Sequence, residues 1–174
     1  HDVIEEFSKY LLEKNIMWHE IIDDDDVLKL EYKDILENVI SKTLDEDFKK
    51  QKESVKYGIY KRKLTNTLKK DVAVIAKSFK QSEFVPFGYE IEFKENGNFL
   101  PIDINLGNGK KMKLIGKIDR VDVLKTKEAI YTRIVDYKSS KKELLIDDIK
   151  EGISLQLIAY LTAFMENEQK NETR

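Results

Sequence analysis

Three residues in the second half of the chain stand at spacings that could do chemistry on a phosphate. Asp136 and Lys138 are two apart in Ile134-Val135-Asp136-Tyr137-Lys138-Ser139, a segment whose apolar, β-branched start predicts a strand. Residues two apart on a strand point to the same side. A carboxylate and an ammonium therefore project together, with Val135 and Tyr137 turned the other way. The third residue, Asp119, stands in Gly116-Lys117-Ile118-Asp119-Arg120. That segment belongs to the preceding predicted strand, joined through a short loop at Lys125 to Glu128. Two aspartates can then converge beside one lysine. Hard oxygen ligands of this kind suit Mg²⁺ or Mn²⁺, and the lysine could orient an attacking water or stabilise negative charge at phosphorus. An Asp-x-Lys triplet alone reads more simply as a surface ion pair, worth about 0–1 kcal/mol. Only the convergence with Asp119 lifts it above that reading.

The elements that must position these residues follow from periodicity. Ile4, Phe7, Leu11 and Leu12 recur at helical steps, and predict a first helix. The acidic run Asp23 to Asp26 interrupts the pattern and is a candidate cap for the next helix. Tyr32, Leu36, Val39, Ile40, Leu44 and Phe48 mark a second helix, and Tyr60 to Phe79 a third. From about Phe84 the period drops to two. Phe84 to Lys94, Leu100 to Leu106, Lys113 to Leu124 and Ala129 to Tyr137 predict four strands, with Asn108-Gly109 as a hairpin turn. Ile149, Ile153, Leu157, Tyr160, Leu161 and Phe164 predict a closing helix. The expected architecture is α+β: helices, an antiparallel meander, then a helix on the sheet. A single domain is expected over 1–174, with a mainly helical part at 1–82, a catalytic sheet and closing helix at 83–165, and a polar tail at 166–174.

Composition narrows the chemistry. Of 174 residues 41% are hydrophobic, enough for a core at this length, and 37% are charged, which favours solvated helices. Lys and Arg number 31 against 33 Asp and Glu, a formal charge of −2. Binding of a polyanion by bulk charge is thereby disfavoured, so nucleic acid must meet a local basic patch or a metal ion. Lys61, Arg62, Lys63, Lys69 and Lys70 on the third helix, and Lys110, Lys111 and Lys113 at the hairpin, are such patches or else solvated faces. There is no cysteine, which excludes thiol catalysis, thiolate zinc and iron–sulfur ligation within these residues. No apolar run approaches the roughly 20 residues a membrane span needs. These features fit a cytoplasmic protein. The chain begins at His1 and is expected to be part of a longer polypeptide.

The ordered pieces "GKIDRVD … RIVDYKSS … LQLIAYL" resemble the RecB-family nucleases of the PD-(D/E)XK superfamily, and among them the nuclease domains of the AddB type. "HDVIEEF" at the start and "FVPFGYEIEF" before the paired strands extend the likeness over the chain. The resemblance implies a restriction-endonuclease-like core and a metal-dependent DNA nuclease, an exonuclease using Mg²⁺ or Mn²⁺. It implies His1, Asp119 and Asp136 as metal ligands, with the Tyr137 carbonyl as a further one, and Lys138 as the catalytic lysine. Gln156 and Tyr160 match the family's Gln-x-x-x-Tyr motif and, four apart on a helix, share a face. Gln156 is expected to orient the lysine or touch DNA. His1 reads alternatively as a frayed end, Gln156 as a capping amide and Tyr160 as core. Glu90 is a candidate supporting acid, or part of a solvated acidic face with Glu92.

The resemblance further implies single-stranded DNA from unwound duplex as substrate, an AddA helicase–nuclease subunit as partner, and repair of double-strand breaks as the setting. Rival readings are a catalytically inactive DNA-binding or scaffolding module of the same fold, and a stand-alone RecB-like exonuclease. AddB-type domains carry an iron–sulfur cluster on cysteines that flank the core. Such a cluster is expected only in a longer parent that supplies four cysteines. This chain should then be colourless, with neighbouring termini.

Overall fold

The structure, a computed structural model, describes residues 2–48, 54–138 and 156–172. His1 and residues 173–174 lie outside them, so the expectations about the termini and about His1 as a ligand have no structural counterpart here. The chain divides into two compact units, His1–Glu83 and Phe84–Arg174.

The first unit is helical. α1 (Asp2–Glu13) buries Val3, Ile4, Phe7, Ser8 and Leu11 on one face. A 3₁₀ turn at Trp18–Ile21 follows, then α2 (Leu30–Asp47) and α3 (Val55–Lys80). The apolar spacings meet in one core: Phe7 packs edge-on to Trp18, and Trp18 stacks on Phe79, each at 6.0 Å between ring centres. Fully burying each such aromatic contributes on the order of 3 kcal/mol. Ser54 caps α3, its side chain accepting the Tyr57 N–H at 3.1 Å. The acidic run caps no helix. Asp23 Oδ1 instead accepts the backbone N–H of Asp25 and Val27, closing a turn on itself, and the N-cap of α2 is Lys29. The short Asp side chain reaches its own turn before any helix begins. Asp26 then pairs with Lys77 at 2.9 Å and Lys80 at 3.1 Å, tying the turn to α3.

The second unit holds the sheet. β1 (Val85–Phe93), β4 (Gly116–Lys125) and β5 (Ile130–Val135) form an antiparallel sheet in the order β1-β4-β5, while β2 (Ile102–Gly107) and β3 (Lys110–Leu114) pair with each other. The meander expected from the sequence is therefore interrupted. The stretch read as one strand over Lys113 to Leu124 is two, split at Ile115. β3 completes the hairpin, and β4 begins against Phe93, partner of Gly116. A Cβ at Gly116 would lie 2.5 Å from the Phe93 ring, so the absence of a side chain lets the strands approach there. Alternation continues through Ile115, which is why periodicity alone missed the break. The hairpin turn falls on Asn108-Gly109, with φ of 49° and 75°, the pair of left-handed residues that a two-residue turn needs.

The closing helix, α4, runs Gln156–Glu172. Its expected earlier part at Ile149 and Ile153 lies outside the described residues. Ala163 and Phe164 pack on Ile91, Phe93, Phe99, Ile102, Ile118, Val121 and Val123, and Phe164 meets Phe87 edge-on at 5.1 Å. The helix passes through the segment read as a polar tail from Glu166. Asn167 is the reason: it is buried, its Oδ1 accepts the Leu100 N–H at 2.8 Å, and its Nδ2 donates to the Leu100 carbonyl and to that of Ala163. A polar residue with its hydrogen bonds satisfied is no obstacle to burial.

Candidate active site

β4 and β5 are adjacent antiparallel strands, and their last pair before the site is Arg120 with Val135. The next residues on each side are Asp119, still within β4, and Asp136, just past the end of β5. The sequence reading carried the strand to Tyr137; ladder pairing stops two residues earlier. Asp119 reaches across, its Oδ2 accepting the Tyr137 backbone N–H at 2.6 Å. Asp136 points to the same end, and Lys138 Nζ pairs with its Oδ2 at 2.5 Å. Asp119 and Asp136 are largely buried, and Lys138 is 43% exposed. The structure thus brings together two carboxylates and one ammonium at one end of the β4–β5 pair.

Gln156, first residue of α4, closes the cluster. Its Oε1 accepts from Lys138 Nζ at 3.2 Å, and its Nε2 donates to Asp136 Oδ1 at 3.1 Å and Tyr160 Oη at 2.6 Å. The amide holds cation and carboxylate with opposite ends, so it fixes their relative placement. Tyr160 has two parts in the packing: its ring meets Phe93 edge-on at 5.7 Å, while its hydroxyl anchors Gln156. Glu90 lies on β1 between Tyr89 and Ile91, whose β4 partners are Arg120 and Ile118, and so flanks the stretch carrying Asp119. It pairs with Lys117. Glu92 pairs instead with Lys94 at 2.6 Å.

Burial pushes the Asp119 carboxyl above the usual carboxylate range. The negative charge of Asp136 adds to this, while the Tyr137 N–H, Lys138 and Lys117 oppose it. Lys138 is raised in turn, chiefly by its hydrogen bond to Asp136, so it stays cationic at neutral pH. Among the described residues no three His, Cys, Asp or Glu side chains gather into a metal-ligating group. The donor set still suits one ion class. Two hard carboxylates at one sheet end, one held against its burial cost, fit a hard divalent cation such as Mg²⁺ or Mn²⁺.

An acid whose pKa is higher folded than unfolded binds its proton more tightly in the folded state. Its stabilising effect is present below the unfolded pKa and lost as pH rises through the folded one. Ionised Asp119 therefore weakens the fold at neutral pH. Asp119→Asn, whose amide oxygen can still accept the Tyr137 N–H, should melt at the same or a higher temperature than wild type at pH 7 in EDTA. Differential scanning calorimetry checks this, and a clear fall in melting temperature would contradict it.

Sequence reasoning passed over Arg120 and Asp122. Both are buried. Asp122 pairs with Arg120 Nε at 3.0 Å and Arg133 Nε at 2.8 Å. Arg120 also donates to the Tyr137 hydroxyl at 2.8 Å, and its guanidinium lies 5.6 Å from that ring's centre. Burial pushes the Tyr137 phenol up to about 12, with Arg120 opposing. The signal was in Arg120-Val121-Asp122: two charged residues alternating with Val on a strand buried along most of its length.

The model of the PD-(D/E)XK nuclease superfamily matches residues 1–174. The chain belongs to this superfamily. Membership fits the α+β arrangement of helices and antiparallel sheets described above. Among curated relatives, proteins named as the B-type subunit of an ATP-dependent helicase/deoxyribonuclease are similar to it. That of Thermoanaerobacter sp. (strain X514) is 38% identical over 99% of this chain and 15% of its own length. Those of Clostridium tetani and Clostridioides difficile are 36% and 37% identical over 95% and 96% of the chain, each over 14% of the relative. The chain thus spans about 15% of the length of the curated relatives it matches. The relatives agree with the AddB-type likeness read from the motifs.

Proposed function

We propose that this PD-(D/E)XK domain is a Mg²⁺-dependent deoxyribonuclease that hydrolyses phosphodiester bonds of single-stranded DNA, as the nuclease part of a cytoplasmic helicase–nuclease working with an AddA-type subunit in double-strand break repair. The observation that carries it is the Asp119–Asp136–Lys138 cluster bound by Gln156. Asp119 and Asp136 would hold the metal, with the Tyr137 carbonyl and His1 completing the ligands. When bound, the ion would supply Lewis acidity, both to activate water and to neutralise charge at phosphorus. The chain's own groups do the rest. Lys138, kept protonated by Asp136, is a charge stabiliser and not a proton acceptor. Its ammonium, held between Asp136 and Gln156, would stabilise negative charge on a bound phosphate. Gln156 limits its motion, and the Tyr160 hydroxyl limits Gln156. An inactive scaffold would have no use for a lysine and two carboxylates so constrained.

The direct test is digestion of end-labelled single-stranded DNA with and without Mg²⁺, wild type beside Asp136→Ala. Cleavage that needs the metal and vanishes in the variant is expected; cleavage surviving in the variant overturns the assignment.

The charge distribution sets affinity. Several basic residues are already engaged: Lys69 pairs with Glu37, Lys61 lies 3.9 Å from Asp45, and Lys113 lies 2.5 Å from Glu95. With a formal charge of −2, binding should rest on a few phosphate contacts. It should weaken by about tenfold or more between 50 and 200 mM salt, as counterion release requires. Fluorescence anisotropy in Ca²⁺ would measure it, and tight, salt-independent binding would point to a base-reading surface instead.

A further inference from the structure

The proposed cleavage chemistry uses Asp119, Asp136, Lys138 and Gln156, yet among the described residues a further cluster of buried charge lies on the same strands. Asp122 is fully buried, and both Arg120 and Arg133 converge on it. Buried ion pairs of this kind are weak contributors to stability, because the desolvation of each ion offsets the attraction between them. A reason for the cluster is better sought in what it holds.

It holds Tyr137. Pairing in the ladder ends at Val135, so residues 136–138 extend beyond the sheet with Asp136 and Lys138 among them. Contacts from β4 reach this stretch at Tyr137. Its backbone N–H donates to Asp119, and its hydroxyl accepts from Arg120 on the other side. The second arm of the cluster is fixed in turn, since the Arg133 guanidinium lies 4.6 Å from the centre of the Phe84 ring.

We propose that Arg120, Asp122 and Arg133, gathered on the buried Asp122 carboxylate, form a positioning clamp that acts through the Tyr137 hydroxyl to fix Asp136 and Lys138 against Asp119. This deepens the nuclease reading and rests on it. The residues touch no substrate. The clamp replaces the ladder pairing that the strand gives up at Val135. The planar guanidinium of Arg120 serves both partners at once: a terminal nitrogen donates to the phenol while its charge pairs with the Asp122 carboxylate, a spread that a lysine's compact ammonium lacks.

The test uses the 174-residue chain and two variants, Tyr137→Phe and Arg120→Lys. Tyr137→Phe keeps the ring and loses only the hydroxyl. Mn²⁺ is the probe, its free concentration read by electron paramagnetic resonance, so the measurement does not depend on cleavage. Removing a group that orients a ligand commonly weakens metal binding by roughly 10- to 100-fold. Tyr137→Phe is expected to weaken Mn²⁺ at least about tenfold, with kcat falling, KM for DNA unchanged, and Tm within about 2 °C. Arg120→Lys should do the same or worse. Should Arg120→Lys fail to fold, Tyr137→Phe alone decides. Wild-type Mn²⁺ affinity and kcat in Tyr137→Phe would overturn the clamp, and a lowered Tm with those values would mark the cluster as purely structural. A wild-type chain that binds Mn²⁺ but cuts no DNA would sink the nuclease reading, and the Mn²⁺ comparison would still decide the clamp.

Discussion

Alanine at Lys138 should slow single-turnover cleavage of DNA by about a hundredfold or more while the fold survives. A preorganised donor at the developing charge is worth roughly 3 kcal/mol when removed, and Lys138 is the cation that Asp136 and Gln156 hold at the site. Its exposure of 43% means that no packed core is lost. The effect on the metal should run the other way. Removing an ammonium from beside Asp136 leaves the carboxylate with less competition, so Mg²⁺ should bind as well as in wild type or somewhat better. Rapid-quench kinetics with saturating metal would separate the two effects. A variant cleaving within about twofold of wild type would reduce Lys138 to a surface ion pair of the ordinary kind.

The second large effect belongs to the carboxylates. Asp119→Ala and Asp136→Ala should each abolish measurable Mg²⁺ or Mn²⁺ binding in isothermal titration calorimetry, because a site with so few protein ligands cannot spare one. The two should differ in stability. Asp136→Ala leaves Lys138 and the Gln156 amide without their shared acceptor. Asp119→Ala removes a buried carboxylate whose ionisation burial opposes, though it also strands the Tyr137 N–H. Unchanged heats in both variants would refute the metal assignment.

Much of the molecule was written in local pattern. The three helices of the first unit announce themselves by apolar residues three and four apart, because a helix must turn one face to the core whatever that core is. The same holds for β1, for the Asn108-Gly109 turn and for the α4 stripe. Asp136 and Lys138 could be placed on one side because a strand alternates whichever sheet it joins. The grouping of Asp119 with Asp136 and Lys138 could be expected because a short hairpin joins the two strands that carry them.

The tertiary structure decided the rest. It placed the break at Ile115, since alternation runs on through a residue where the chain changes partners, and only Phe93 against Gly116 marks the change. It turned the acidic run into a closed turn and not a helix cap, because which N–H a carboxylate reaches depends on the path of the backbone. It buried Asn167, whose polarity suggested a tail, by offering it the backbone of Leu100. Arg120 and Asp122 drew no reading of their own from the sequence; only the fold brings Arg133 of β5 and Tyr137 just beyond it to them, from eleven and seventeen residues away. Whether a charge on a strand is solvated or buried depends on what the sheet places next to it, and that partner lies beyond the reach of any local pattern.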